Sequence, residues 1–277
     1  MKQIKPKSIA LVTGASSGMG KDFAKALLRE GMIVYAAARR IEQMDDLKEL
    51  GAIPVKTDVT KEEDLRALVE MIEKDHGGVD VLINNAGFGS FGAMEDTSIE
   101  DARYQFEVNL FGTARLTQLL LPSMRKKAAG KIINLSSMGG KIYTPFGSWY
   151  HATKHAMEAW SDCLRLELKE FNIDVVIIEP GIIKTEFAEV LIKPMLERSG
   201  DGPYKRMAKS VVKAMGTSYQ AGRASEPEVI TELILKAVRA KKPKTRYVAG
   251  RLARPMMFLR KWLGDNIFDK IVLSIVK

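Results

Sequence analysis

The stretch Ser-Ile-Ala-Leu-Val-Thr-Gly-Ala-Ser-Ser-Gly-Met-Gly, residues 8–20, decides the fold. Its apolar first half, residues 8–14, predicts a buried strand, and apolar residues at helical spacing predict a helix from Met19 to Glu30. The glycines between them permit a tight turn and let the backbone approach a pyrophosphate, whose charge is favoured at a helix N-terminus. The spacing differs from GxGxxG, so the stretch taken alone also fits a glycine-rich turn without function.

The alternation of strand and helix continues to residue 180. Further strands are predicted at 32–38, 53–58, 79–85, 131–137 and 173–180, separated by helices at 41–50, 61–75, 100–127 and 150–171. Strands joined by helices of this length imply right-handed crossovers and a parallel sheet with helices on both faces. Since no repeat or linker interrupts the pattern, the sequence predicts one α/β domain over residues 1–277.

The chain after Pro180 follows a weaker pattern. Residues 182–225 are rich in Lys, Glu, Met, Gly and Ser, and the segment is long enough to form a lid over a substrate. Ser225 is the predicted N-cap of a helix over 225–240, and a last strand is predicted at 245–250.

A set of short motifs occurs in order along this predicted fold. They are the turn glycines Gly14, Gly18 and Gly20, then Asn84-Asn85-Ala86-Gly87, Asn109, Ser137, Tyr150 with Lys154, and Pro180-Gly181 with Thr185. Over about residues 8–187 the set resembles the classical short-chain dehydrogenase/reductase family. The resemblance implies a doubly wound Rossmann fold with about seven strands in the order 3-2-1-4-5-6-7. It also implies an oxidoreductase that transfers hydride between a nicotinamide cofactor and an alcohol or carbonyl group, and a homodimer or homotetramer assembled through the two long helices.

Four polar residues are the predicted catalytic set. Tyr150 and Lys154 are four residues apart and share a helix face, so the ammonium is expected to lower the phenol pKa from its usual value of about 10. Ser137 can donate a hydrogen bond to a substrate oxygen on which charge develops. The resemblance implies that Lys154 also binds the nicotinamide ribose and that Asn109 supports a water in a proton relay.

The end of the second predicted strand indicates the cofactor. Ala38 stands where family members that prefer NAD carry an acidic residue, and Arg39 and Arg40 follow it. A guanidinium can pair with the 2′-phosphate of NADP, and Arg39 is the better candidate because it adjoins the strand. Both arginines also fit solvated positions at a helix entry, and Ser17 stands where some NADP-binding members have a basic residue. The interpretation is nonetheless NADP(H) in preference to NAD. The predicted cofactor-binding residues are Gly14, Ser16, Ser17, Gly18, Met19, Gly20, Arg39, Arg40, Asp58, Val59, Asn85, Ala86, Gly87, Tyr150, Lys154, Pro180, Gly181, Ile183 and Thr185.

The predicted substrate pocket is apolar. Its candidate residues flank the motifs and are Phe88, Phe91, Ser137, Met138, Tyr143, Phe146, Trp149 and Ile182. Such a lining suits a hydrophobic ketone, aldehyde or secondary alcohol. Two alternatives remain open: a regulatory protein that binds NADP without turnover, and a peripheral membrane protein that acts on a lipid-like substrate.

Charge and composition exclude several other classes. The net charge is +9, but residues 241–277 hold ten basic and two acidic residues, so the rest of the chain is near neutral and no nucleic-acid partner is predicted. The single cysteine, Cys163, indicates a reducing cytoplasm. His151 and His155 are four residues apart without a third ligand nearby, so we expect surface positions and no metal site.

The basic tail, about residues 251–277, is predicted to form an amphipathic helix. An apolar stripe recurs at three- and four-residue steps through Leu259, Trp262, Leu263, Ile267, Ile271 and Ile275. The stripe fits packing over the substrate cleft or against a second subunit, and it also fits an anionic membrane interface. The sequence favours packing, because Gly264 and two acidic residues weaken a membrane helix.

Overall fold

The computed structural model describes residues 8–185, 187–219 and 224–276, with only the backbone at 187–189. Its centre is a parallel sheet with the strand order β3-β2-β1-β4-β5-β6-β7, which confirms the predicted doubly wound fold. The strands are β1 (Ile9–Thr13), β2 (Ile33–Ala38), β3 (Ile53–Lys56), β4 (Val81–Asn84), β5 (Gly130–Leu135), β6 (Ile173–Pro180) and β7 (Arg246–Ala249).

Helices cover both faces of the sheet. The ten helices of the described residues are α1 (Gly18–Arg29), α2 (Asp45–Glu49), α3 (Glu62–His76), α4 (Ile99–Phe106), α5 (Gly112–Lys127), α6 (Ser148–Glu167), α7 (Phe187–Ser199), α8 (Lys205–Tyr219), α9 (Glu228–Arg239) and α10 (Ala253–Ile275). One apolar core lies under α1 and α9 and includes Phe23 and Ile234. A second core lies under α3, α5 and α6 and includes Leu68 and Leu116. The carboxyl ends of the strands are therefore held between these two apolar cores.

Two predicted helices have different bounds in the structure. The helix predicted at 100–127 is divided into α4 and α5 by a π-helical segment, Glu107–Phe111. The helix predicted from Ser225 begins at Glu228 with Pro227 as its N-cap, so the predicted cap is wrong. Ser225 instead pairs its backbone with the chain after β6, donating to the Ile182 carbonyl at 3.1 Å.

The segment predicted as a lid contains α7 and α8, although residues 186 and 220–223 lie outside the described part. Leu191 and Met195 of α7 pack with Ala208 and Val211 of α8 in one cluster. That cluster also includes Phe91, Phe146 and Tyr150, so apolar contacts join the two helices to the chain around the predicted catalytic tyrosine.

The C-terminal helix, α10, is kinked. Gly264 has φ +70° and ψ 176°, which interrupts the helix and turns its second half. Met256, Phe268 and Val272 are buried against Ile142, so α10 packs on the fold through these residues. Along the described chain, no helix is both long and apolar enough to cross a membrane.

Most of the predicted apolar stripe of the tail does not pack on the fold of its own chain, so packing against a second subunit stays a prediction. Trp262, Leu263, Ile267 and Ile275 are exposed, and Leu259 and Ile271 are half-buried. The prediction assumed one continuous helix, whereas the break at Gly264 shifts which residues face the protein.

Candidate active site

The glycine turn after β1 is held by the end of β4. The Thr13 hydroxyl accepts hydrogen bonds from the backbone N–H of Asn85 at 3.1 Å and of Ala86 at 3.0 Å. The Asn85 amide donates to the carbonyls of Thr13 at 3.0 Å and Gly14 at 3.3 Å. Gly14 has φ +67°, and a Cβ there would lie 2.9 Å from the Ala86 Cα. These bonds fix the turn in one shape, and only glycine fits at position 14.

The start of α1 offers backbone donors to an anion. Its N-cap, Ser17, makes no capping bond with its side chain, and no acidic residue occupies the first turn. Gly18 has φ +51°, and a Cβ added there would meet only the Thr185 methyl, at 4.0 Å. A Cβ on Gly20 would overlap the Asn85 amide and the Gly14 carbonyl. The turn therefore fits the pyrophosphate of a dinucleotide in shape and in charge.

The two arginines after β2 have different contacts, and only Arg40 bonds to this turn. Arg40 donates to the Ser17 hydroxyl at 3.1 Å and to the Ser16 hydroxyl at 3.5 Å. Arg39 is exposed and donates to the Tyr104 hydroxyl at 2.9 Å. Since each contact is to a neutral hydroxyl, both guanidinium groups keep their charge available to a phosphate.

The chain after β3 forms a tight turn at Asp58. The Asp58 carboxylate accepts from the backbone N–H of Thr60 at 3.0 Å and from its hydroxyl at 2.8 Å. The Asp58 N–H in turn donates to Asp64 at 2.8 Å. Val59 is half-buried against the core under α3 and α5, and its carbonyl lies close to Gly112. The turn keeps both residues at the carboxyl edge of the sheet.

Ser137 and Tyr150 meet beyond the end of β5, and Lys154 bonds to the last residue of that strand. The Tyr150 side chain is hydrogen-bonded with Ser137, whose hydroxyl also accepts the Gly139 N–H at 3.0 Å. The Lys154 ammonium donates to the Leu135 carbonyl at 2.8 Å. Ser137 therefore lies two residues beyond β5 rather than at its last position.

The pKa of Tyr150 differs from the expectation. Burial is the largest influence and raises the pKa of Tyr150, while the bond with Ser137 acts to lower it. Burial also lowers the pKa of Lys154 to about 8. The predicted depression of the phenol pKa is thus wrong, because removal of the ring from water outweighs the influences that favour the phenolate.

Asn109 lies in the π-helical segment and is buried. Its amide donates to the Phe88 carbonyl at 2.9 Å and to the Thr153 hydroxyl at 3.1 Å, and its oxygen accepts the Phe88 N–H at 2.9 Å. A Cβ on Gly87 would lie 3.1 Å from that oxygen. The Asn109 side chain therefore fixes the strand exit at Gly87 and Phe88 against α6.

A cavity of about 270 Å³ opens beside Ser137 and Tyr150. It touches the cofactor side at Met19, Gly181 and Thr185, and its remaining wall is mostly apolar. Besides Ser137 and Tyr150, the wall includes Phe91, Met138, Ile182, Leu191, Val211, Met215, Leu252, Met256, Ile275 and Val276. The cavity thus joins the predicted catalytic residues to an apolar space formed largely by α7, α8 and α10.

Four residues predicted to line this space lie outside it. Phe88 packs on Tyr104 with ring centroids 5.7 Å apart. Tyr143 packs on Phe268. Phe146, whose backbone has φ +64°, packs on Tyr204. Trp149 is partly buried on α6. In this part of the chain the cavity is lined instead by Ile142, Thr144 and Pro145.

His151 is buried, which contradicts the predicted surface position. Its Nδ1 bonds the Gly139 carbonyl at 2.9 Å, and its Nε2 accepts the Thr144 N–H at 3.1 Å. Because Nε2 accepts, the ring proton is on Nδ1 and the ring is neutral. Burial lowers the pKa of His151 to about 4. His151 holds the 139–144 loop, which carries Ile142 and follows Ser137; His155 is exposed as predicted. No group of three potential metal ligands occurs in the described ranges.

A buried ion cluster behind Lys154 was not found from the sequence. Glu158 lies one turn after Lys154 on α6 and pairs with Arg246 of β7 at 3.1 Å and with Lys141 at 2.9 Å. Arg246 also lies 3.5 Å from Glu179, whose pKa is raised to about 7 by burial and by the charge of Glu158. Spacing on α6 could have indicated Glu158, but the partners come from distant parts of the chain.

Comparisons with known proteins agree with this geometry. Residues 8–195 match the family model described as short chain dehydrogenase. A 3-ketodihydrosphingosine reductase of Bacteroides thetaiotaomicron is 36% identical, with 94% of this chain and 95% of that protein covered. An NADPH-dependent 3-dehydrocapnine reductase of Ornithobacterium rhinotracheale is 34% identical, with 97% of each covered.

Among solved structures, a short-chain dehydrogenase from Streptomyces avermitilis matches with a TM-score of 0.81 and 33% identity, covering 97% of this chain and 98% of that one. The match spans the sheet and the segments after β6 alike. The chain therefore belongs to the short-chain dehydrogenase family and is an oxidoreductase of CH–OH groups that uses a nicotinamide cofactor.

Proposed function

We propose that this protein is an NADP(H)-dependent oxidoreductase that interconverts a lipid-like ketone or aldehyde and its alcohol. The observation that carries the proposal is the opening of the hydrogen-bonded Ser137–Tyr150 pair into an apolar cavity. A substrate with its carbonyl oxygen within reach of both hydroxyls would have its apolar chain against α8 and α10. Such a site binds an apolar chain by burying its surface and orients it with two polar groups.

The catalytic roles follow from the chemistry of these groups. The bound cofactor supplies or accepts the hydride. Ser137 and Tyr150 donate hydrogen bonds to the substrate oxygen, and Tyr150 delivers its proton as charge develops there. The raised pKa of Tyr150 keeps the phenol protonated until that moment. Lys154, four residues away on α6, stabilises the phenolate that remains. Asn109 fixes the backbone of Phe88 beside the proton relay.

The cofactor preference rests on the charges beside the glycine turn. The start of α1 would hold the pyrophosphate, and Met19, Gly181, Ile183 and Thr185, which line the cavity with Tyr150, would hold the nicotinamide half. In the described residues neither Arg39 nor Arg40 forms an ion pair, so both cations would be available to a 2′-phosphate. Of the carboxylates that line the neighbouring pocket, Asp46 is paired with Lys21 and Lys25. Asp58 and Val59 would lie beside the adenine.

The substrate class draws on the wall of the cavity and on two relatives. Their names specify reduction of 3-ketodihydrosphingosine and 3-dehydrocapnine, and both cover nearly the whole chain. Because 94% and 97% of this chain are covered, the similarity extends beyond the sheet to most of the chain that forms the apolar wall. We therefore place this protein's substrate among ketones with a long apolar chain.

A direct assay tests the proposal. Purified protein is mixed with NADPH or NADH and with methyl ketones of increasing chain length, and cofactor oxidation is followed by absorbance. We expect a kcat/KM that is higher with NADPH and that rises with chain length. NADPH binding without turnover on any ketone, aldehyde or alcohol would instead support the regulatory alternative.

Assembly is part of the same proposal. We place the contact between protomers on the long helices α5 and α6, where Leu166 is 66% exposed at the surface. The expected result is a dimeric or tetrameric mass by light scattering, with dissociation in Leu166→Asp. The lone Cys163 accords with a reducing cytoplasm.

A further inference from the structure

The outer face of α10 is apolar and basic at once. We define it by the exposed residues Arg254, Phe258, Lys261, Trp262, Ile267, Lys270 and Leu273. Trp262 is 65% exposed and Phe258 is 60% exposed, and their rings pack on each other with centroids 6.4 Å apart. Of the nineteen exposed large apolar side chains in the described residues, seven lie between Leu252 and Ile275. Apolar exposure is therefore concentrated on this one element.

The two halves of α10 form one layer in spite of the kink. Arg260 of the first half lies over the Tyr143 ring at 5.1 Å, and Phe268 of the second half packs on the same ring at 5.2 Å. Arg260 and Asp265 pair across Gly264 at 2.7 Å. Since both halves rest on Tyr143, the exposed residues of both lie on the side away from the sheet.

The positive charges on this face have no carboxylate partners in the described part of the chain. Arg254, Lys261 and Lys270 form no ion pair within the described residues, whereas Asp265 is paired with Arg260 and Asp269 accepts from the Tyr143 hydroxyl at 2.8 Å. Arg254, Phe258, Lys261 and Trp262 recur at helical spacing, so cations alternate with aromatic rings. Such a face matches anionic headgroups above and acyl chains below.

The same helix borders the cavity. Leu252 and Ile275 are exposed and also line the cavity, together with Met256 and Val276. Exposed apolar side chains therefore border the cavity at both ends of α10. A chain leaving a lipid layer would meet apolar side chains on its way to Tyr150.

From these observations we infer that the outer face of α10 docks on an anionic lipid surface and that the cavity takes its substrate from that surface. The docking stands on the face itself, and the substrate path rests on the proposed function. A second copy of the chain is the less favoured occupant, because a two-fold contact through this face would bring the unpaired cations of both copies into one interface.

Vesicle sedimentation of the full chain tests the docking. The probes are vesicles of phosphatidylcholine alone and of phosphatidylcholine with phosphatidylglycerol. We expect binding to the anionic vesicles that weakens with added salt, and at least about tenfold weaker binding in Trp262→Asp and Ile267→Asp. Reversal of two charges in Arg254→Glu/Lys261→Glu is expected to weaken it by about 25-fold or more, at about fivefold for each charge lost.

Leu50→Asp is the matched control. Leu50 is 57% exposed, but it precedes β3 at the opposite edge of the sheet, so this variant should bind vesicles as well as the unaltered protein does. Absence of anionic-vesicle binding, or equal binding by all variants, would overturn the docking. Loss of a dimeric mass in Trp262→Asp without any vesicle binding would assign the face to a second copy and also overturn it.

Turnover separates this inference from the proposed function. A short, water-soluble ketone should be reduced equally by all variants, whereas a long-chain ketone held in anionic vesicles should be reduced more slowly by Trp262→Asp. No reduction of either ketone would refute the proposed function and leave the vesicle-binding result to stand by itself.

Discussion

The cofactor side and the substrate side of the cavity are built from different interactions. On the cofactor side, hydrogen bonds made by Thr13 and Asn85 fix a backbone turn in which only glycine fits at position 14. On the substrate side, Leu191, Val211 and Met256 line the cavity with apolar surface. Hydrogen bonds demand particular residues at fixed positions, whereas apolar packing accepts many side chains of similar volume. This difference explains why the first side carries motifs and the second does not.

The largest expected effect comes from the hydroxyl that joins the two sides. Tyr150→Phe keeps the ring and its packing but removes the proton, so turnover should fall by about 10²–10⁴-fold or more while NADPH still binds. Steady-state kinetics and fluorescence titration with NADPH measure the two quantities. Tyr143→Phe is the control, because Tyr143 lies outside the cavity and should keep nearly normal turnover. A Phe variant at position 150 with ordinary turnover would refute the assignment.

His151 should make stability depend on pH. Its pKa is lowered to about 4 in the fold from 6.5, so between pH 6.5 and 4 the unfolded chain binds a proton that the folded chain does not. Stability is therefore complete above pH 6.5 and decreases as the pH falls to 4, by about 3 kcal/mol. Urea unfolding of His151→Gln should show a pH-dependent loss smaller by that amount, while His155→Gln keeps the full loss. An unchanged loss in His151→Gln would show that the ring does not remain neutral.

Substitution of Arg39 tests whether the cofactor side of the cavity recognises the 2′-phosphate of NADP. Arg39→Ala should lower kcat/KM for NADPH by about tenfold to a hundredfold, as expected for about 1.5–3 kcal/mol in a charged hydrogen bond, and leave NADH unchanged. Arg40→Ala, with its contact to Ser17, provides the comparison at the neighbouring position. An equal loss with both cofactors would mean that Arg39 does not contact the 2′-phosphate.

The smallest effect belongs to the substrate side. Met215→Ala enlarges the cavity, so the preferred ketone should lengthen by one or two methylene groups, with about a fourfold gain for each, corresponding to about 0.8 kcal/mol. Kinetics across a chain-length series measure the shift. Met207→Ala on the same helix is the control, because Met207 is exposed and does not line the cavity. The same shift in both variants would mean that α8 acts through its stability and not through the wall.

The parallel α/β sheet was predicted from the alternation of strands and helices, and its strand order from the family resemblance. The roles of Ser137, Tyr150 and Lys154 stay a prediction, although the structure brings Ser137 and Tyr150 into hydrogen-bond contact. The sequence did not predict that His151 is buried, since its partners Gly139 and Thr144 are brought near by a loop without periodicity. It did predict that the tail could pack over the substrate cleft, but not which residues would do so. The wall uses Met256 and Val276, which lie outside the predicted stripe, because the helix is interrupted at Gly264.

Arg246 limits where this chain can be recombined with its relatives. Its guanidinium neutralises Glu158 and Glu179, and Glu158 lies one turn from Lys154. A chimaera that takes a relative's residues from Gly250 onward would exchange α10 and its outer face while keeping this cation. A junction placed before Arg246, in a partner without a basic residue there, would leave the buried Glu179 without its cation and Glu158 with Lys141 alone. The helix proposed to deliver the substrate, α10, can thus be exchanged by itself, whereas the last strand, β7, must stay with the catalytic residues.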